Sequence, residues 1–122
     1  MNQERTGWRD EKLSREHREW GYDLPMTDID FLMVECNKYM PSALIEYKNE
    51  HSNFLNFNSW QYVVLKNFSS CASVPFFVVV YSDDLNWYEV IPMNEEAKVY
   101  IKDKIKYTKE DYQKLLRKLR DF

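Results

Sequence analysis

Asp28, Asp30, Glu46, Tyr47 and Lys48 are the residues of this chain whose types and spacing could do chemistry. Asp28 and Asp30 stand at the head of the apolar run Ile29-Asp30-Phe31-Leu32-Met33-Val34, and Glu46 and Lys48 close a second run, Ser42-Ala43-Leu44-Ile45-Glu46-Tyr47-Lys48. Side chains alternate between the faces of a strand, so the two aspartates share one side of the first run, and Glu46 and Lys48 share one side of the second. Paired strands would bring four charged groups together. Mg²⁺ takes one or two carboxylates plus water and a substrate phosphate. Asp30 and Glu46 supply hard oxygen ligands of this kind, the Tyr47 carbonyl would complete the set, and Asp28 could join it or sit apart as a turn residue. A cation held there would stabilise charge building up on a phosphate and lower the pKa of a bound water, while Lys48 positions that water or neutralises the developing charge. The expected chemistry is hydrolysis of a phosphodiester bond with Mg²⁺, or Mn²⁺ as its substitute.

The elements that must position these groups read along the chain as helix, two strands, helix, two strands, helix. A first helix is expected over about residues 9–20, ended by Gly21. Strands over 28–34 and 42–48 are joined by the four residues Asn37 to Met40. Trp60 to Phe68 suits a helix capped by Asn58 or Ser59, with Val64 and Phe68 one turn apart. Pro75 to Tyr81 is a continuous apolar run of the kind buried on both faces, hence a central strand. A turn at Asp83, Asp84 and Asn86 returns the chain into a strand over 87–93, and Val99-Tyr100-Ile101 suits a short edge strand. In the last helix Thr108 and Asp111 resemble a capping box, and Tyr112, Leu115, Leu116 and Leu119 follow helical spacing.

A chain of 122 residues without repeats or linkers is expected to form a single domain over residues 1–122. The hydrophobic share of 44% and aromatic share of 16% exclude a disordered chain despite 30% charged residues. With Gly7 and Gly21 as its two glycines, it has no glycine-rich phosphate loop. No apolar run is long enough to cross a membrane and the N-terminus lacks the apolar centre of a signal peptide, so a cytoplasmic protein without membrane contact is expected. Cys36 and Cys71 fit no ligand or disulfide pattern and are expected to be reduced, half-buried thiols. The net charge of −3 hides an asymmetry. Residues 21–97 carry three basic against eleven acidic residues, and 98–122 carry nine against four. An acidic middle suits a cation site, and a basic last helix could touch phosphate or simply be solvated.

An acidic residue on one strand followed by E-x-K on its neighbour resembles the signature of the PD-(D/E)xK nuclease superfamily. Asp28-Ile29-Asp30-Phe31-Leu32 and Ala43-Leu44-Ile45-Glu46-Tyr47-Lys48 look like its motif strands, and the resemblance covers roughly residues 9–93 in element order. Ile29 stands where the formal motif has Pro, and a short stretch near Tyr22 to Leu24 stands where the usual core has a further strand. The resemblance implies an α/β (α+β) domain with a restriction-endonuclease-like core, a mixed central sheet flanked by helices. It makes Asp30 and Glu46 metal ligands and Lys48 the catalytic lysine of a Mg²⁺-dependent nuclease acting on DNA, with endonuclease action the first choice. So compact a nuclease resembles those of phages, which would place it in the host cytoplasm. A second copy of the chain would widen its binding surface as a homodimer.

Arg15 and Arg18 on the first helix, Gln61 on the second, and Lys114, Arg117 and Lys118 on the last are candidate nucleic-acid contacts, each with an ordinary surface or capping role as the alternative. Glu16 and Glu19 could add a further acid to the site or face solvent. His51 has no partner at ligand spacing and reads as a loop residue. Trp60, Tyr62, Trp87 and Tyr88 read as core rather than as base-stacking platforms. The competing functional reading is a non-catalytic module that keeps the nuclease fold and binds protein or nucleic acid.

Overall fold

A computed structural model describes residues 11–21, 23, 26–52 and 57–121. The described elements are α1 (Glu11–Glu19), β1 (Phe31–Glu35), β2 (Met40–Asn49), α2 (Trp60–Cys71), β3 (Phe76–Tyr81), β4 (Trp87–Pro92), α3 (Glu95–Lys98), β5 (Ile105–Thr108) and α4 (Lys109–Arg120). They form an α+β architecture in which one mixed sheet of order β1-β2-β3-β4-β5 is flanked by helices. β2 and β3 run parallel, as the crossover through α2 requires, and the other neighbouring pairs are antiparallel.

The run Phe76-Phe77-Val78-Val79-Val80 is buried throughout because β3 is central and both its faces are covered. Alternation along β2 and β3 divides the core into two layers. On one face Leu44, Phe76 and Val78 pack against Tyr62 and Leu65 of α2. On the other, Ala43, Ile45, Phe77, Val79 and Val90 pack against Ala97, Ile101, Tyr112, Leu115 and Leu119. Each large apolar side chain buried this way contributes roughly 1.5–3 kcal/mol. Asn94 ties the layers at one end. Its Oδ1 accepts from Phe76 N (3.0 Å) and Ala97 N (2.9 Å), and its Nδ2 donates to Ser69 Oγ (3.1 Å) and the Val74 carbonyl (2.9 Å).

Several local expectations agree with the structure. Gly21 leaves α1 at φ 113°, a backbone conformation open to glycine. Thr108 caps α4 by accepting from Asp111 N at 3.1 Å. Residues Cys36 to Tyr39 turn the chain between β1 and β2, with Tyr39 at φ 56°. The start of the first helix before Glu11 and the stretch near Tyr22 to Leu24 lie outside the described residues or are described only at Asp23.

Other expectations are corrected. Val99-Tyr100-Ile101 is not a strand: Asn94 caps the short α3, the chain turns, and the edge strand is Ile105–Thr108. Ile101 instead enters the core. Val64 and Phe68 do not mark the buried stripe of α2. They are 42% and 50% exposed, and the helix buries Tyr62, Leu65 and Ser69 at spacings of three and four. Trp60 is likewise half exposed rather than core. Cys36 and Cys71 are free, as expected, but exposed rather than half-buried. Among the described residues no helix is long and apolar enough to cross a membrane.

Candidate metal centre

The register sets Phe31 opposite Ile45 as the first pair of β1, so Asp28 and Asp30, expected within the strand, precede it. β1 departs from β2 at this point, and the aspartate side chain takes over from the ladder. Asp30 Oδ2 accepts from Tyr47 N at 3.1 Å, where a continued strand would have offered the Ile29 carbonyl, while Asp30 N donates to Glu46 Oε2 at 2.8 Å. These two bonds tie the segment leading into β1 to Glu46 and Tyr47 of β2. Glu46 is 8% exposed, enclosed beneath the α2 side of the sheet.

Lys48 follows Glu46 by two residues and lies on the same face, its Nζ 5.9 Å from the centre of the Tyr62 ring. The N–H and C=O of a strand residue leave on the same side. The Tyr47 carbonyl therefore leaves β2 towards Asp30, as its N–H does. The Tyr47 side chain crosses to the other face, where its hydroxyl is 2.5 Å from that of Tyr112. Its ring meets Phe31, Tyr81 and Tyr112 edge-on at 5.1, 6.2 and 6.5 Å. Burial pushes both phenols above their ordinary pKa, Tyr112 far above it. This aromatic anchor holds the backbone between the two charged residues of E-x-K, a role that residue spacing alone does not reveal.

Tyr62 covers the site from α2. It is 8% exposed and its hydroxyl has no hydrogen-bond partner. Its pKa is raised, first by burial and then by the charges of Glu46 and Asp30. The tyrosine expected to serve packing does so, against Leu44 and Val78.

The remaining candidates are spread more widely. Asp28 is exposed and precedes β1. Gln61 is exposed beside Tyr62 in the first turn of α2. Arg15 pairs with Glu11 at 4.0 Å on α1, which buries none of its residues; Arg18, Glu16 and Glu19 are exposed there too. Lys114, Arg117 and Lys118 are exposed on α4, whose buried side packs against Ala43 and Ile45. The basic helix is thus across the sheet from Glu46 and Lys48, and the structure does not bring it to the acidic pair.

His51 does acquire a partner through folding. Its Nε2 lies 2.7 Å from Asp83 Oδ2, Asp83 N donates to Glu50 Oε2 at 2.8 Å, and Asn49 Nδ2 donates to Asp83 Oδ1 at 2.8 Å. Glu50, His51 and Asp83 form an exposed group whose potential ligand atoms lie within 4.8 Å of one another. The Asn49 hydrogen bond, followed by the contact with His51, holds the Asp83 carboxyl below the usual carboxylate range. These contacts fasten the loop after β2 to the turn after β3. Comparison with protein-family models, curated proteins and solved structures finds no match for this chain.

Proposed function

We propose that the chain is a Mg²⁺-dependent nuclease with a restriction-endonuclease-like core, a member of the PD-(D/E)xK class that hydrolyses phosphodiester bonds of DNA, with endonuclease action the first choice. The observation that carries this reading is the reciprocal pair of hydrogen bonds linking Asp30 to Glu46 and Tyr47, with Lys48 on the same face. The element order supports it: helix, antiparallel strand pair, crossover helix and parallel strand.

The donor set fits a hard divalent cation. Asp30 and Glu46 supply carboxylate oxygens, each carboxylate oriented by a backbone N–H, and the Tyr47 carbonyl leaves the strand on the same side. A bound Mg²⁺, or Mn²⁺ in its place, supplies Lewis-acid stabilisation of phosphate charge and a more acidic water. Lys48 contributes a positive charge beside the carboxylates, where it orients a water or neutralises charge on the phosphate. Tyr62 and the apolar layer under α2 exclude bulk solvent from Glu46. A cytoplasmic setting, a phage origin and a homodimer belong to the same proposal.

A second reading, a non-catalytic interaction module, is favoured by one observation. Trp60, Val64 and Phe68 recur every four residues along the outside of α2 and are 51%, 42% and 50% exposed. An apolar stripe of this kind suits a protein partner. Cleavage of linear, circular, branched and single-stranded DNA with Mg²⁺ or Mn²⁺, with RNA as control, separates the readings. The nuclease should cut at least one substrate, and Lys48→Ala should reduce cutting by orders of magnitude while retaining a Mn²⁺-dependent rise in melting temperature. No cleavage by wild type, with binding unchanged in the variants, would favour the module.

A further inference from the structure

We infer that Tyr62 is a positioning residue of the proposed cation site, its hydroxyl accepting a hydrogen bond from a water bound to the cation that Asp30 and Glu46 hold. The inference rests on the metal-site reading above and adds a residue to it from a different element.

Two buried side-chain polar atoms among the described residues have no hydrogen-bond partner, Ser42 Oγ and the Tyr62 hydroxyl. Leaving such an atom unpaired costs on the order of 1–3 kcal/mol. Ser42 sits four residues before Glu46, roughly 13 Å along the strand, where the pairing of β1 with β2 slips by one residue. Tyr62 is different in what surrounds it. It packs over Leu44 and Val78, the latter being the β3 residue in register with Glu46. Lys48 Nζ lies over its ring, and Phe57 meets the ring at 5.7 Å. The hydroxyl is buried, with a lone pair and a proton that no side chain or backbone group uses, and it lies near enough to Glu46 and Asp30 to feel their charges.

Those surroundings suit a water in a cation's shell. Such a water is polarised and donates strongly, and a phenol oxygen accepts. A group that holds a metal's water in this way commonly changes affinity by about 10–100-fold when removed. A hydroxyl bonded within the fold would lower the cation-free melting temperature when removed, whereas deleting a buried hydroxyl that lacks a partner relieves a cost.

Tyr62→Phe removes only the oxygen. Mn²⁺ binding to the full chain, without nucleic acid, is measured by electron paramagnetic resonance and by the Mn²⁺-dependent melting temperature, alongside wild type and Asp30→Asn. The expected result is a melting temperature without Mn²⁺ that is unchanged or raised, and a dissociation constant for Mn²⁺ about tenfold weaker. Wild-type affinity in Tyr62→Phe, with binding abolished in Asp30→Asn, overturns the role of Tyr62 and leaves the carboxylate site standing. Absence of Mn²⁺ binding by wild type removes both.

Discussion

Replacing Asp30 in two ways separates its part in the fold from its proposed part at a cation. Its Oδ2 accepts from Tyr47 N at 3.1 Å, a part-buried hydrogen bond to a carboxylate. Bonds of this kind contribute about 1.5–3 kcal/mol. Asp30→Ala removes the acceptor and leaves the Tyr47 N–H facing the space where β1 departs from the ladder. For a chain of 122 residues that loss corresponds to a fall in melting temperature of roughly 5–15 °C. Asp30→Asn keeps an amide oxygen in the same position and should change stability by no more than about 1 kcal/mol. Both variants remove a negative charge from the proposed site, so both should lose the response to Mn²⁺. In wild type, Mn²⁺ at about 100 times its dissociation constant should add about 2.7 kcal/mol. The assay is thermal unfolding of the three proteins with chelator and then across a Mn²⁺ series. Equal losses for Asn and Ala in chelator would refute the acceptor role. A full Mn²⁺ response in Asp30→Asn would refute the carboxylate as a ligand.

Two further predictions concern the framework around the site. The Tyr47 and Tyr112 phenols stay protonated in the folded protein beyond the ordinary value near 10. The unfolded chain releases those protons first, so stability should be complete below about pH 10 and fall above it, by up to roughly 1.4 kcal/mol per pH unit for each tyrosine. Urea unfolding between pH 8 and 11.5 measures this, and a Tyr47→Phe/Tyr112→Phe protein should show a shallower alkaline decline; an identical slope would contradict the assignment. Asn94→Ala should lose on the order of 3 kcal/mol in urea, because four buried hydrogen bonds lose their shared partner. A loss below about 1 kcal/mol would mean that the network is dispensable.

Local pattern was enough to place most elements. The uninterrupted apolar run at 76–80 could only be satisfied by burial on both faces, the Thr108–Asp111 spacing announced the start of α4, and strand alternation put Glu46 and Lys48 on one side before any fold was known. Where alternatives were locally equal, tertiary packing chose. Val64 and Phe68 are as apolar as Tyr62 and Leu65, and which stripe of α2 faced the sheet depended on the shape of the layer formed by Leu44, Phe76 and Val78. Val99 to Ile101 has strand-forming side chains, but the Asn94 cap turns the chain first and leaves the sheet edge to residues 105–108. The pairing of His51 with Asp83 and the position of α4 across the sheet from Lys48 join residues far apart in sequence. The types and spacing of Asp30, Glu46 and Lys48 were written in the chain itself. That Asp30 replaces a ladder partner of Tyr47, and that the Tyr62 ring packs beside the Lys48 ammonium, followed only from the register of β1 on β2 and the docking of α2, because no local pattern encodes a contact between separate elements.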